Sequence, residues 1–333
     1  MRASTDWFRD ARWGGFIHYL ADVASAQQAT EVPVEDWYRR IDGVNVERLA
    51  AQLAEAGAGY CVLTLGQNSG YFLSPNATYD ALVGRRPSRL SPRDLLADFA
   101  AALGRYGIRA LAYVPSHAPA YDPLAVQGLR CTPPWDASAW QLRPGTYLIE
   151  GEVDARLSEF QRHWEAVIAE WSTRWGKAVS GWWFDGCYHA DRMYRGDAEP
   201  SFRTLAAAAK AGNPDSIVAF NPGIKVPIVC HSEFEDYTAG ELSGVFPVAD
   251  QWRPLSRFVD GAQYHALSYL GRTWGQGSPR FSDPFVCGYT IDVNRFGGVV
   301  SWDFPVERDG TIPAAFLAQL KAIGAATRAA VEV

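Results

Sequence analysis

Short apolar runs rich in β-formers alternate with amphipathic helical stretches along the whole chain. The clearest runs lie at 15–19, 60–65, 110–114, 180–184 and 216–220, and less regular ones at 237–242, 264–270 and 299–302. Between them, helical apolar spacing covers 45–56, 95–106, 157–175, 202–211 and 313–330. The helix over 95–106 reads with Ser91 as N-cap, Pro92 at the first position and a stop before Gly107. Strands alternating with helices imply parallel strands joined by crossover helices. Eight such strands in 333 residues predict an α/β fold, a (β/α)8 TIM-like barrel forming one catalytic domain over 1–333 without a C-terminal β-sandwich. The rival is an open doubly wound sheet. Two irregular regions, 119–152 and 226–254, are long enough to be active-site loops.

Barrel enzymes place their chemistry where the strands exit. The fourth run, Gly181-Trp182-Trp183-Phe184, ends abruptly on Asp185-Gly186. Reading each exit in turn gives His18, Gln67, Asn68, Ser116, His117, Asp185, Asn221, Glu235 or Glu241, His265 and Asp303. Amides and imidazoles around carboxylates suit a polyhydroxylated ring, whose hydroxyls both donate and accept. Retaining glycoside cleavage requires two carboxyl groups, a nucleophile and an acid/base. Asp185 supplies the first, and the second falls in the segment holding Glu233, Glu235 and Glu241. Structural readings stand beside these: Asp-Gly is common turn chemistry, the glutamates form a solvated acidic loop, and His18 is a satisfied core histidine.

Composition narrows the partners. With 31 basic against 37 acidic side chains and a net charge of −6, no positive excess is available for nucleic acid. The 13% aromatic content offers faces for sugar stacking, with Trp182, Trp183 and Trp302 nearest the exits. Five scattered cysteines form neither a CxxC motif nor an even set, and no apolar run has the length or flanks of an export signal or a membrane span. A soluble cytoplasmic enzyme acting on a small-molecule glycoside or oligosaccharide is expected. A metal-dependent hydrolase built on His18, His117, His189 or His231 lacks any H-x-H or H-E-x-x-H spacing, so no metal and no cofactor is expected. No motif bears on oligomeric state.

The opening Trp7-Phe8-Arg9-Asp10-Ala11-Arg12-Trp13-Gly14-Gly15-Phe16-Ile17-His18-Tyr19 resembles the start of the α-L-fucosidase family, glycoside hydrolase family 29. Further stretches agree in the same order: Ala56 to Thr64, Ser91-Pro92-Arg93-Asp94-Leu95-Leu96, Trp183-Phe184-Asp185-Gly186 and Asp309-Gly310-Thr311-Ile312-Pro313. The resemblance implies a retaining hydrolase with Asp185 as nucleophile and His18 against the sugar. One branch of the family carries G-N-E-x-G-x-A-G-E, onto which Glu235-Asp-Tyr-Thr-Ala-Gly-Glu241 can be laid. This favours Glu235 over Glu241 as the acid/base.

Three departures from the family accompany it. Gln67-Asn68 stand where two histidines are usual, which leaves the identity of the sugar open. Tyr264-His265-Ala266-Leu267 replaces W-E-x-C, placing His265 where some members carry the acid. Val300-Ser301-Trp302-Asp303-Phe304-Pro305 replaces L-L-N-V-G-P and adds Asp303 as a sugar contact, with Trp302 beside it for stacking. The same departures motivate the alternative, a catalytically inactive carbohydrate-binding barrel. On either reading the sugar contacts are His18, Gln67, Asn68, His117, Trp183, Asn221, His265, Trp302 and Asp303.

Overall fold

The computed structural model describes residues 2–21, 32–131, 154, 156–189, 193–248, 252, 254 and 256–330. Seven strands form one parallel sheet: β1 (Trp13–Ile17), β2 (Tyr60–Thr64), β3 (Arg109–Pro115), β4 (Val179–Asp185), β5 (Ile217–Phe220), β6 (His265–Tyr269) and β7 (Val299–Asp303). Their order across the sheet is β5-β4-β3-β2-β1-β7-β6. The first strand thus lies between the second and the last, which is the cyclic order of a TIM-like sheet curling on itself. An open doubly wound sheet would reverse direction at a switch point, and this order has none. Residues 258–259 and 262–263 add a small antiparallel hairpin.

The expected strand at 237–242 is an extended segment that bonds to both edges of the sheet without regular pairing. Asp236 N–H donates to Val218 O at 2.7 Å, while its carboxylate accepts from Val218 N–H at 2.8 Å. A side chain thereby replaces half of a backbone ladder on β5. That carboxylate is buried and also takes Ala3 N–H and, at 2.7 Å, the Lys210 ammonium. On the other edge, Thr238 N–H reaches Gln263 O, Leu267 N–H reaches Gly240 O and Leu242 N–H reaches Leu267 O. Gly240 bends the segment at φ +66°, and a Cβ there would lie 1.9 Å from His265 O. Gly240→Ala is therefore expected to destabilise the protein by more than about 1 kcal/mol and to displace the adjoining Glu241. Denaturant unfolding followed together with catalytic activity checks both effects.

Alternation along the strands separates two apolar layers. Phe16, Val62, Leu111, Tyr113, Trp183, Ala219 and Leu267 point into the space enclosed by the sheet, joined by Phe8 from the helix Asp6–Ala11. Their neighbours Ile17, Cys61, Leu63, Ala112, Trp182, Phe184, Val218, Phe220 and Trp302 point outward under the helices. Every one of these side chains is buried.

The helices Val46–Ala56, Ser158–Trp175, Phe202–Ala209 and Ala314–Ala329 fall where the apolar spacing places them. The helix expected after Ser91 starts later, at Leu95, because its cap is Asp94, whose carboxylate accepts from Ala97 N–H. Ser91 instead closes the preceding turn by accepting from Arg93 N–H. Helices at Val34–Asp42, Ala77–Val83, Pro123–Leu129 and Asp283–Arg295 join the shell around the sheet without having been marked by the pattern, the third of them inside the region 119–152 expected to be irregular. Among the described residues, no helix is long and apolar enough to cross a membrane. Residues 132–152 of one expected active-site loop lie outside the described residues, as do 249–251 and 253 of the other.

Candidate active site

The site is built from the last inward residue of several strands. Along β4, Gly181, Trp183 and Asp185 face inward and Trp182 and Phe184 outward, so the carboxylate stands one layer above the indole of Trp183. Gly186 then turns the chain at φ +75°, and a Cβ at this position would meet the His117 imidazole at 2.6 Å. Only glycine allows the turn and the imidazole together. The turn aims Gly186 N–H at Asp185 Oδ1, at 2.8 Å.

Four donors surround this carboxylate. Oδ1 accepts from Gly186 N–H, from the Tyr188 hydroxyl at 3.1 Å and from the Asn221 amide at 2.9 Å. Oδ2 accepts from the Tyr113 hydroxyl at 2.6 Å. An acceptor-only group ringed by donors is the arrangement a carboxylate requires.

Asn221, the residue that follows β5, joins the two acids. Its Nδ2 donates to Asp185 Oδ1 at 2.9 Å and to Glu241 Oε2 at 2.7 Å, so these two carboxylate oxygens lie at most 5.6 Å apart. Gly223 N–H donates to the amide oxygen at 3.0 Å, which fixes the NH2 toward the acids. Burial, and next the Asp185 charge, push Glu241 up to about 7, against the Asn221 hydrogen bond and nearby His18, which pull it down.

His18 follows β1 and donates Nδ1–H to Asp303 Oδ1 at 2.7 Å. Asp303 Oδ2 takes Gly275 N–H at 2.6 Å. The imidazole stacks on Phe16 and faces Trp274, a half-buried ring 5.5 Å away by centroid. Gln67 Nε2 donates to the Tyr113 hydroxyl at 2.7 Å. Asn68 is 3% exposed, and its Oδ1 has no hydrogen-bond partner. His117 is buried beside the Asp185-Gly186 turn with Nδ1 bonded to Ala118 O.

The structure thus gathers Asp185, Glu241, Asn221, Gln67, Asn68, His18 and His117 at one end of the strands. Other expected members lie elsewhere, each for a stated reason. Glu235, favoured as the acid/base, is fully buried, with Oε1 taken by His231 N–H and Oε2 by Phe220 N–H. Burial pushes it up to about 8, and its carboxyl caps backbone amides instead of facing Asp185. Glu233 is exposed and lines a separate cavity of about 460 Å³ near Arg2 and Ser201. His265 begins β6, whose exit is Tyr269, so it lies four residues, about 13 Å, below the site. Thr238 O and Ser301 Oγ occupy both of its ring nitrogens, and burial pushes it down to about 4, so it serves as a neutral core group and neither an acid nor a sugar contact.

Trp302 points outward, where its indole N–H bonds to Thr290, and it offers no face to a sugar. Asp303 is completely buried with both oxygens occupied, so it orients His18 and has no free atom for a hydroxyl. Trp183 is 3% exposed and stacked on Tyr113, forming the floor of the site. The side chain of His189 lies outside the described residues. Among the described residues, no three His, Cys, Asp or Glu side chains converge as metal ligands.

Tyr113, Tyr188 and Trp274 belong to the site although their sequence positions did not single them out. Inward parity on β3 was the available signal for Tyr113. For Tyr188 and Trp274, which lie beyond strand ends, no periodicity applies.

No family model matches the sequence, and neither does any curated protein. Solved structures do share the fold. The α-L-fucosidase AlfC from Lactobacillus casei, in complex with its α-L-fucose product, is 17% identical, with 99% of each chain covered and a TM-score of 0.65. The endo-fucoidan hydrolase MfFcnA4, from glycoside hydrolase family 107, is 18% identical at a TM-score of 0.69; 96% of this chain spans 53% of that one. The α-L-fucosidase isoenzyme 1 from Paenibacillus thiaminolyticus is 19% identical at a TM-score of 0.63, with 98% and 76% covered.

Proposed function

We propose that this chain is a retaining glycoside hydrolase of the α-L-fucosidase-like type, with Asp185 as nucleophile and Glu241 as acid/base. The observation that carries this reading is the Asn221 bridge. It holds Asp185 Oδ1 and Glu241 Oε2 on one amide, at most 5.6 Å apart, which supports a carboxylate pair as close as the roughly 5–5.5 Å that retaining enzymes use. The elevated affinity of Glu241 for its proton suits an acid working near neutral pH. The solved relatives, all glycosidases by name, share the fold in support of the same chemistry.

In the first step Asp185 attacks the anomeric carbon while Glu241 passes its proton to the departing glycosidic oxygen, which leaves as an alcohol. In the second, the Glu241 carboxylate takes a proton from water, the resulting hydroxide equivalent attacks the same carbon, and Asp185 departs. Two inversions give net retention. His18 presents its imidazole to a ring hydroxyl, and Trp274 takes the stacking role expected of Trp302.

The test is hydrolysis of aryl glycosides, including the α-L-fucoside and galacto- and arabino-configured analogues, with the first-formed anomer read by proton NMR. Retention is expected, and inversion would contradict the mechanism. Binding of the glycosides without hydrolysis would favour the inactive barrel. Because Glu241 must be protonated to act as acid and its pKa is raised, kcat/KM is expected to hold through mildly acidic pH and fall as pH rises past about 7. A pH profile on the best substrate checks this, and Glu241→Gln is expected to remove the alkaline limb.

A further inference from the structure

Gln67 and Asn68 are adjacent, yet the structure uses them differently. Asn68 Oδ1 is buried without a partner, whereas the Gln67 amide is already engaged with the Tyr113 hydroxyl. Tyr113 in turn donates to Asp185 Oδ2. The direction of this chain is set from the carboxylate outward. Asp185 only accepts, so the single phenolic proton points at it, and the phenolic oxygen then requires a donor, which the Gln67 NH2 supplies. Burial and the Asp185 charge push the Tyr113 phenol far up, which keeps it a donor.

The two oxygens of Asp185 are also unequal. Oδ1 carries three donors and Oδ2, among the described residues, only Tyr113. Oδ2 is thus the less encumbered of the two oxygens.

We propose that Gln67 is a positioning residue that acts through Tyr113 on Asp185 Oδ2, the oxygen that attacks. The proposal rests on the reading of Asp185 as nucleophile. As the carbon–oxygen bond forms, Oδ2 loses its charge and the Tyr113 hydrogen bond weakens. As that bond breaks in the second step, the charge returns to Oδ2 and the hydrogen bond strengthens, assisted by polarisation from Gln67. The arrangement therefore favours release of the carboxylate more than its attack.

The experiment compares Gln67→Leu, Gln67→Glu, Tyr113→Phe and the double variant Gln67→Leu/Tyr113→Phe. Tyr113→Phe is expected to lower kcat roughly 10- to 100-fold and Gln67→Leu roughly 3- to 10-fold, with KM falling in parallel as the glycosyl-enzyme accumulates. In the Tyr113→Phe background Gln67→Leu is expected to cost less than about twofold, because its path of action is gone. Gln67→Glu inverts the polarity and competes for the phenolic proton. It should fall below Gln67→Leu at neutral pH and recover relative to wild type below about pH 5, where the protonated acid donates again. A Gln67→Leu effect that raises KM and persists in full in the double variant would overturn the proposal.

The carbon-13 shift of Tyr113 Cζ, assigned with Tyr113→Phe, gives a readout that needs no turnover. It should move in both Gln67 variants, and an unmoved shift overturns the relay. A moved shift in a protein that hydrolyses no glycoside would overturn the hydrolase reading alone.

Discussion

Asp185→Asn is expected to lower kcat by roughly 10⁴-fold or more, a loss above about 5 kcal/mol of transition-state stabilisation. The amide keeps the volume of the carboxylate but carries no charge and attacks poorly. Its NH2 would also face one of the donors that now surround the acid, whether the Gly186 N–H, Tyr188 and Asn221 group at Oδ1 or Tyr113 at Oδ2. The loss should appear with every aryl glycoside the parent cleaves, whatever the leaving group, because the attack on the anomeric carbon is itself lost. Steady-state kinetics on the purified variant measure it, with thermal unfolding run alongside to confirm that the variant is folded. Turnover within tenfold of the parent would remove Asp185 from the nucleophile role.

Glu241→Gly should behave differently, and the difference identifies the acid. Loss of general acid/base catalysis costs about 10²–10⁴-fold. For an aryl glycoside whose phenol leaves without help, the first step survives and the glycosyl-enzyme accumulates, seen as a burst of phenol. Azide should then restore the rate by entering the space vacated by the carboxylate, yielding a glycosyl azide of retained configuration. Substrates with alkyl or sugar leaving groups should not be rescued, since their first step still needs a proton.

The control is Glu235→Gly, which strips Phe220 N–H and His231 N–H of their buried acceptor. Its effect should fall on stability, with no rescue by azide. Rescue of Glu235→Gly and not of Glu241→Gly would reverse the assignment.

The strand-to-helix rhythm and the Asp185 exit were readable from the sequence because both depend on local pattern. An inward carboxylate at the end of an apolar run has few ordinary explanations. The choice between Glu235 and Glu241 was not readable, since both sit in a segment without strand periodicity. There the backbone bends at Gly240 and a side chain, Asp236, substitutes for ladder pairing. Which glutamate faces inward depends on that bend. His265 failed for a related reason: the register with β7 sets it opposite Val299 at the start of the strand, a long-range fact invisible to local spacing. Trp302 illustrates parity instead, because placing Asp303 inward sends its neighbour outward.

The central claim is that Asp185 becomes covalently bonded to the sugar within a pair of carboxylates held by Asn221. The most direct measurement incubates the protein with a fluorinated or cyclitol analogue of whichever glycoside it hydrolyses, then locates the adduct by mass spectrometry of the digested chain. A single adduct on Asp185, absent from Asp185→Asn and accumulating in the parent as activity is lost, is the predicted result. An adduct on any other carboxylate, or hydrolysis of the parent glycoside with no adduct and an inverted product, would contradict it.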